Sequence, residues 1–332
     1  MRSIPAVLLI GLALVIATNT VSAQRRHASA RKSARQKPPA PPPLPCGDPF
    51  SFDVLLDRQN FSPGEIEGTL RPNTARALAA VQAVRGLEPT GQADCDTWHA
   101  LGGDTSGSMT ASYTIEENDV KGPFEKTIPA DLEKQANLPA LSYRSPLERL
   151  SEKFHVAPAL LRRMNPRAAL ERGVTIDVPA VQPFDIDAKP PKQPAEPDIT
   201  IQVSRDESAL RVLRPDGSLI FFAPVTTGSE HDPLPPGNWK VKVVQWYPVF
   251  HYNPDLFWDA DPRHSKAEIK PGPNNPVGVV WIGLDLEHYG LHGTPEPSRI
   301  GSTESHGCVR LTNWDAARVA MLVKPGTPVL FR

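Results

Sequence analysis

The stretch at residues 199–228, ITIQVSRDESALRVLRPDGSLIFFAPVTTG, contains three runs rich in β-branched and aromatic residues. Such residues favour strands, and the intervening RDES and PDG are turn sequences. WKVKVVQW, VGVVWIGL and the terminal PVLFR continue the pattern. The sequence therefore predicts an all-β domain over residues 199–332, built as a sandwich or a curled sheet.

One long segment interrupts this strand pattern. Residues 248–277 read PVFHYNPDLFWDADPRHSKAEIKPGPNNPV and are rich in aromatic residues and proline. Loops of this length inside compact domains are usually lids or binding loops. We expect the segment to border a site.

Two smaller regions precede the β domain. In residues 46–103, a helical pattern is capped by Asn73 and ends at Gly86, and a shorter helix begins near Asp94. Residues 111–181 predict two short helices separated by Pro158, followed by a brief strand. The proline-rich residues 182–198 predict a semi-rigid linker.

The amino terminus predicts export. Residues 1–23 contain an early arginine, a short apolar run and the ending Val-Ser-Ala, which is typical of a signal peptide cleaved near Ala23. The basic, proline-rich residues 24–45 predict a tether. We expect a periplasmic protein whose mature chain has no stable membrane span. The 36 basic and 37 acidic residues nearly balance, so the composition does not indicate nucleic-acid binding.

Three cysteines cannot all pair within one exported chain. Cys46 and Cys95 bracket one compact segment, whereas Cys308 lies far downstream. The simplest partition is a Cys46–Cys95 disulfide and a free Cys308. A free thiol in an oxidising compartment points to nucleophilic chemistry.

Cys308 lies in the sequence SHGCVRL, residues 305–311. If this stretch is extended, His306, Cys308 and Arg310 share one face. Gly307 would give access to the thiol, and nearby backbone N–H groups are candidates for an oxyanion hole. A histidine usually generates the thiolate. Both His306 and His292 are candidates, and a cross-strand position favours His292.

The sequences HGT at 292–294 and SHGCVRL resemble the signature of the L,D-transpeptidase family. The resemblance implies a β-sandwich-like catalytic fold that needs no metal and no cofactor. It implies that Cys308 is the nucleophile and that His292 is the general base, oriented by the carbonyl of Gly293. His306 and Gly307 would shape the site. A zinc site is disfavoured because no CxxC or HxxxH spacing occurs.

The same resemblance suggests substrate-binding residues. Arg310 would hold a substrate carboxylate, and Asn275 lies in GPNNPVG, which resembles a family segment bordering the site. Ser305 and Tyr289 are further candidates. Tyr252 is an alternative to Tyr289 as an oxyanion donor.

The two upstream regions also resemble wall-binding modules. GEIEGTLRPNTARALAAVQ and GLEPTGQADCDTWHAL resemble a peptidoglycan-binding helical repeat. The helix pair, the NP at 165–166 and GVTIDVP resemble a divergent lysin-motif module. Both resemblances imply contact with glycan strands, although such modules can also be structural.

The implied reaction acts on peptidoglycan tetrapeptide stems. A thioester forms on Cys308 with release of terminal D-alanine, and an amine then accepts the acyl group. That amine belongs to another stem, a free D-amino acid or an outer-membrane protein lysine. Water as acceptor would make the protein a carboxypeptidase. A noncatalytic wall-binding scaffold is the alternative from a different class.

Overall fold

The structure is a computed structural model that describes residues 44–187 and 198–332. The predicted signal peptide, nearly all of the tether and most of the linker lie outside the described residues. The helices are α1 (Pro49–Arg58), α2 (Pro72–Val84), α3 (Cys95–Ala100), α4 (Glu117–Val120), α5 (Leu132–Gln135), α6 (Pro146–Lys153), α7 (Pro158–Met164) and α8 (Asn313–Leu322). The strands are β1 (Thr110–Thr114), β2 (Thr175–Pro179), β3 (Thr200–Ser204), β4 (Ala209–Leu213), β5 (Leu219–Pro224), β6 (Gly237–Trp246), β7 (Phe250–Tyr252), β8 (Ala267–Ile269), β9 (Val280–Leu284), β10 (Gly290–His292), β11 (Val309–Arg310) and β12 (Pro328–Phe331).

The first region is helical, with α1, α2 and α3 packed around a small apolar core. The Cys46–Cys95 disulfide is present and joins the start of α3 to the chain before α1. The predicted capping role of Asn73 is wrong. Helix α2 begins at Pro72, whose fixed φ suits a first helical position, and it has no side-chain cap. Asn73 instead donates a hydrogen bond from Nδ2 to the carbonyl of Ile300, at 2.8 Å.

The second region places two helices against a two-stranded sheet. β1 and β2 pair in antiparallel register, and the apolar faces of α6 and α7 pack on them. Ser145 caps α6 by accepting a hydrogen bond from the amide of Glu148, and proline occupies the first helical turn. The sequence did not predict β1, α4 or α5. The lysin-motif resemblance stays a prediction.

The third region is the predicted β domain. Eight strands form one sheet in the order β11-β10-β9-β6-β12-β3-β4-β5. The ten-residue β6 pairs with β12 along its first part and with β9 along its second part, so the sheet folds around it. Alternate residues such as Ile201 and Val203 are fully buried, and α8 contributes to the same core. The prediction of a largely β domain after a helical region is confirmed.

The segment that follows β5 returns to the opposite edge of this sheet. Thr226 and Arg310 exchange two backbone hydrogen bonds, at 3.0 and 2.8 Å. Ser305 donates its amide proton to the carbonyl of Thr227, at 2.9 Å. The chain at 305–310 is therefore held between β10 on one side and residues 226–229 on the other.

Helix α8 contacts both upstream regions. Arg318 donates to both carboxylate oxygens of Asp57 in α1, at 3.2 and 2.9 Å. His155 of the second region contacts the same carboxylate at 3.0 Å and stacks on Trp314. Although burial alone would raise it, His155 and Arg318 hold the pKa of Asp57 well below its usual range. The three regions therefore share a buried ionic contact.

Among the described residues, no helix has both the length and the apolar character needed to cross a membrane.

Candidate active site

The SHGCVRL stretch is a turn followed by a short strand. Gly307 has φ +99°, a conformation that side chains other than glycine rarely adopt. Ser305 closes the turn, since its hydroxyl donates to the carbonyl of Cys308 at 2.6 Å. Only Val309 and Arg310 are in a strand. The extended interpretation is thus wrong before residue 309, and His306 does not share a strand face with Cys308.

Strand pairing brings His292 next to the cysteine segment. β10 and β11 are parallel, with Leu291 opposite Val309 and His292 opposite Arg310. Leu291 and Val309 are fully buried in the core. Because side chains alternate along a strand, His292 and Arg310 lie on the other face, and Cys308 directly precedes β11. Cys308 is half-buried and its thiol is free.

The imidazole of His292 is fixed in orientation. Its Nδ1–H donates to the carbonyl of Gly293 at 2.7 Å, which leaves the Nε2 lone pair available. The ring stacks on Trp281, with centroids 5.5 Å apart. Burial, and then the charge of Arg310, lower the pKa of His292 to about 3. The ring is therefore neutral at pH 7 and can accept a proton.

The thiol of Cys308 is also uncharged at rest. Burial raises its pKa to about 11, against an ordinary value of 9.0. The Sγ–H donates weakly to the carbonyl of His288, at 3.5 Å. The site thus contains a neutral thiol and a neutral imidazole. A nucleophilic role for this thiol would therefore need a general base to remove its proton rather than a preformed thiolate.

Tyr289 lies directly over Gly307. A Cβ added to Gly307 would lie 2.8 Å from Cε1 of the tyrosine ring, so only glycine fits there. Burial, and then the proximity of Cys308 and Asp232, raise the pKa of Tyr289, so its hydroxyl stays protonated and can donate. Tyr252 instead is buried in the 248–277 segment and hydrogen-bonds to His264. The geometry favours Tyr289 as the donor near the thiol.

Arg310 presents an unpaired positive charge to the site. Burial lowers the pKa of its guanidinium, which nonetheless stays charged. No hydrogen bond or ion pair to this guanidinium is found within residues 44–187 and 198–332, although the carboxylates of Glu296 and Asp259 influence its pKa. The group is available for an anionic ligand.

The 248–277 segment folds as a hairpin of β7 and β8 with a 3-10 turn at Pro254–Leu256. Its tip reaches the site, where Asp259 contacts Nε2 of His306 at 2.8 Å and Phe257 packs edge-on against the same ring. Its base rests on the second region: the amide of Ser265 donates to Glu133, and the Lys270 ammonium donates to the carbonyl of Leu138.

Two of the residues predicted to bind substrate have buried side chains that are engaged elsewhere in the structure. Asn275 is fully buried, and its amide group donates to the carbonyl of Lys270 and accepts from the amide of Val277. Ser305 is buried and uses its hydroxyl to close the Cys308 turn. Both side chains are committed to the scaffold, so neither is free to bind a ligand.

Sequence reasoning missed several residues that support the site. Asp259 and Trp281 contact the two histidines, and Asn313 and Glu152 lie behind Gly293. These contacts join segments that are far apart in sequence, and no spacing pattern marks them.

Comparisons with known proteins match two regions of the chain to described families. Residues 198–330 match the family described as the L,D-transpeptidase catalytic domain. Residues 54–101 match a family described as a peptidoglycan binding domain. Residues 198–330 are therefore an L,D-transpeptidase catalytic domain, and residues 54–101 are a domain of the peptidoglycan-binding type.

Individual relatives carry the same family name. The YqjB protein of Bacillus subtilis is 28% identical over 143 residues, which cover 41% of this chain and 72% of that protein. The YkuD protein of Bacillus licheniformis is 45% identical over 60 residues, covering 18% and 36%. The YbiS protein of Escherichia coli is 35% identical over 104 residues, covering 29% and 32%. The chain thus spans about a third of YkuD and YbiS.

Solved structures described as L,D-transpeptidases also match part of the chain. An L,D-transpeptidase from Mycobacterium smegmatis matches with 16% identity and a TM-score of 0.33, covering 50% of this chain and 76% of that one. The catalytic domain of the Enterococcus faecium enzyme matches with 20% identity and a TM-score of 0.32, covering 42% and 99%.

Proposed function

We propose that this protein is a peptidoglycan L,D-transpeptidase that uses Cys308 as a covalent nucleophile. The observations that support this most directly are the free, half-buried thiol of Cys308, which directly precedes β11, and the neutral imidazole of His292 on the adjacent strand β10. The hydrogen bond from Nδ1 of His292 to Gly293 leaves Nε2 as the proton acceptor.

In the first half-reaction, the sulfur of Cys308 attacks the carbonyl carbon between the third stem residue and the terminal D-alanine. Nε2 of His292 takes the thiol proton and then gives it to the departing amine. The peptide bond breaks, a thioester forms, and D-alanine leaves. The hydroxyl of Tyr289, whose ring lies against Gly307, would stabilise the oxyanion that forms on the way.

In the second half-reaction, an acceptor amine attacks the thioester. His292 removes the amine proton and returns a proton to the sulfur, so one peptide bond replaces another without a cofactor. The guanidinium of Arg310 is suited to hold a stem carboxylate by charge-assisted hydrogen bonds. The 248–277 hairpin would act as the lid that limits water, which competes with the amine.

The upstream regions and the disulfide support a site of action at the cell wall. The peptidoglycan-binding-type domain would engage glycan strands, and the second region would do so if it is a lysin motif. The Cys46–Cys95 disulfide is typical of an oxidising compartment such as the periplasm. An outer-membrane protein lysine is a further candidate acceptor.

The test is mass spectrometry of disaccharide-tetrapeptides incubated with the purified chain, beside Cys308→Ala and His292→Ala variants. Parallel reactions would contain stems alone, a free D-amino acid, and a lysine-containing peptide. D-alanine release with a new amide product, absent in the Cys308→Ala control, is expected. The acceptor that yields product identifies the reaction.

Other outcomes have distinct meanings. D-alanine release without any amide product would show a carboxypeptidase. Unchanged stems, with the thiol reduced and the fold intact by circular dichroism, would contradict the proposal and favour a noncatalytic wall-binding scaffold.

A further inference from the structure

A buried carboxyl of the second region reaches the catalytic domain. Glu152 in α6 is 7% exposed. Its Oε1 accepts a hydrogen bond from the hydroxyl of Tyr143 at 2.8 Å, and its Oε2 accepts from Nδ2 of Asn313 at 3.0 Å. Burial raises the pKa of Glu152 to about 8. Burying a carboxyl group costs free energy unless it is hydrogen-bonded, so these two hydrogen bonds stabilise Glu152 in its buried position.

Asn313 begins α8 and is fully buried. Its second Nδ2 proton is donated to the carbonyl of Pro273 at 3.0 Å, and its Oδ1 accepts from the amide of Val279 at 3.2 Å. Both donors and the acceptor are thus satisfied. A flipped amide would point its oxygen at Glu152 and at the carbonyl of Pro273, so the partners fix one orientation.

The carboxamide of Asn313 fills the space left by two glycines. A Cβ on Gly293 would lie 2.2 Å from Oδ1 of Asn313, and a Cβ on Gly278 would lie 2.1 Å from the same atom. Gly278 also contacts the backbone of Gly293 closely. The peptide whose carbonyl holds His292 is therefore packed directly against Asn313.

We propose that Glu152 is a positioning residue: through Asn313 and Gly293, it holds the imidazole of His292 in its working orientation. The inference rests on the proposed function, because His292 must be the base. It makes the second region part of the catalytic machinery, whether or not that region also binds the wall. The contact chain is Glu152 to Asn313 at 3.0 Å, Asn313 against Gly293, and Gly293 to His292 at 2.7 Å.

Two substitutions separate hydrogen bonding from volume. Glu152→Leu roughly keeps the volume but leaves both Asn313 and Tyr143 without their acceptor. Glu152→Gln can rescue, because its oxygen can accept from Asn313 while its amide donates to the oxygen of Tyr143. The matched control is Ser62→Ala, which removes another buried contact between an upstream region and α8, the 2.7 Å bond to Asp315.

The expected result is a kcat for thioester formation about 10-fold lower in Glu152→Leu, with KM within about twofold of wild type. Glu152→Gln and Ser62→Ala should stay within about twofold in both constants. Long-range ¹⁵N–¹H spectra, with the His292 signals assigned from His292→Ala, should show a single Nδ1–H tautomer in wild type and Glu152→Gln. A mixture is expected in Glu152→Leu.

An unchanged kcat and tautomer in folded Glu152→Leu would overturn the inference, as would an equal loss in Ser62→Ala. If Glu152→Leu does not fold, Glu152→Met removes the same acceptor with a more flexible side chain, and an unchanged kcat and tautomer there would overturn the inference. His292→Ala, measured in parallel, separates the two proposals. If it keeps wild-type kcat, the proposed base and the inference both fail. If it is inactive while Glu152→Leu is normal, only the inference fails.

Discussion

Raising the pH from 7 to 9 should accelerate alkylation of Cys308 by iodoacetamide about 100-fold. Burial raises the pKa of the thiol to about 11, so the thiolate fraction grows about tenfold for each pH unit below that value. At pH 7, about one molecule in 10,000 carries the thiolate. The plot of log rate against pH should therefore rise with a slope near 1 and reach no plateau by pH 9.

The absolute rate is set by two opposing effects. A pKa of about 11 instead of 9.0 lowers the thiolate fraction about 100-fold. A more basic thiolate is also a better nucleophile, by roughly eightfold for a Brønsted coefficient of 0.4–0.5. The loss of thiolate outweighs the gain in nucleophilicity, so Cys308 should react about 10-fold more slowly than an exposed cysteine at pH 7.

The assay is simple because Cys46 and Cys95 are joined in a disulfide and only Cys308 is left to label. Intact-mass spectrometry over pH 6–9.5 gives the rate, and a short cysteine peptide gives the reference. His292→Ala should keep the same slope, yet lose about 10²- to 10⁴-fold in acylation by substrate. An inflection below pH 7, followed by a plateau, would show a preformed thiolate–imidazolium pair and refute the reasoning.

Three further outcomes are expected. Gly307→Ala should reduce acylation at least about 100-fold, because its Cβ would strike the Tyr289 ring and its φ of +99° disfavours alanine; acylation kinetics measure this. Arg318→Met should lower the free energy of unfolding by about 3 kcal/mol, since it leaves Asp57 buried with one fewer partner; denaturant titration measures this. Trp258→Ala should raise KM roughly three- to tenfold with little change in stability, because this 60% exposed ring stacks on His231 and lies beside His306 of the site.

Each has a matched control. Gly326→Ala shares a positive φ of +94°, but nothing lies within 4 Å of its Cβ, so activity should be kept. Arg71→Met breaks only an exposed pair with Glu67 and should cost less than about 0.5 kcal/mol. Leu256→Ala, on the same hairpin as Trp258 and 43% exposed, should leave KM unchanged. A control that behaves like its partner would contradict the corresponding explanation.

The sequence alone determined the local features of this protein. Strand runs and turn residues at 199–228 predicted the β domain because alternation and turn chemistry are properties of neighbouring residues. The resemblance of HGT and SHGCVRL to a family signature predicted Cys308 and His292 as site residues, and the odd number of cysteines separated Cys308 from the disulfide. Even so, the prediction of an extended backbone through Gly307 was wrong. An alternating pattern of side chains carries no information about a single positive φ angle.

Only the tertiary structure decided how distant segments meet. Asn275 is a polar residue in a segment expected to border the site. The fold buries it, and its amide group hydrogen-bonds to the protein backbone. No sequence motif indicates that Glu152 supports the site, yet it hydrogen-bonds to Asn313, 161 residues away. Contacts of such separation depend on how α8 packs against both upstream regions. That packing depends on many weak interactions between residues far apart in sequence, and no periodic pattern in the sequence predicts them.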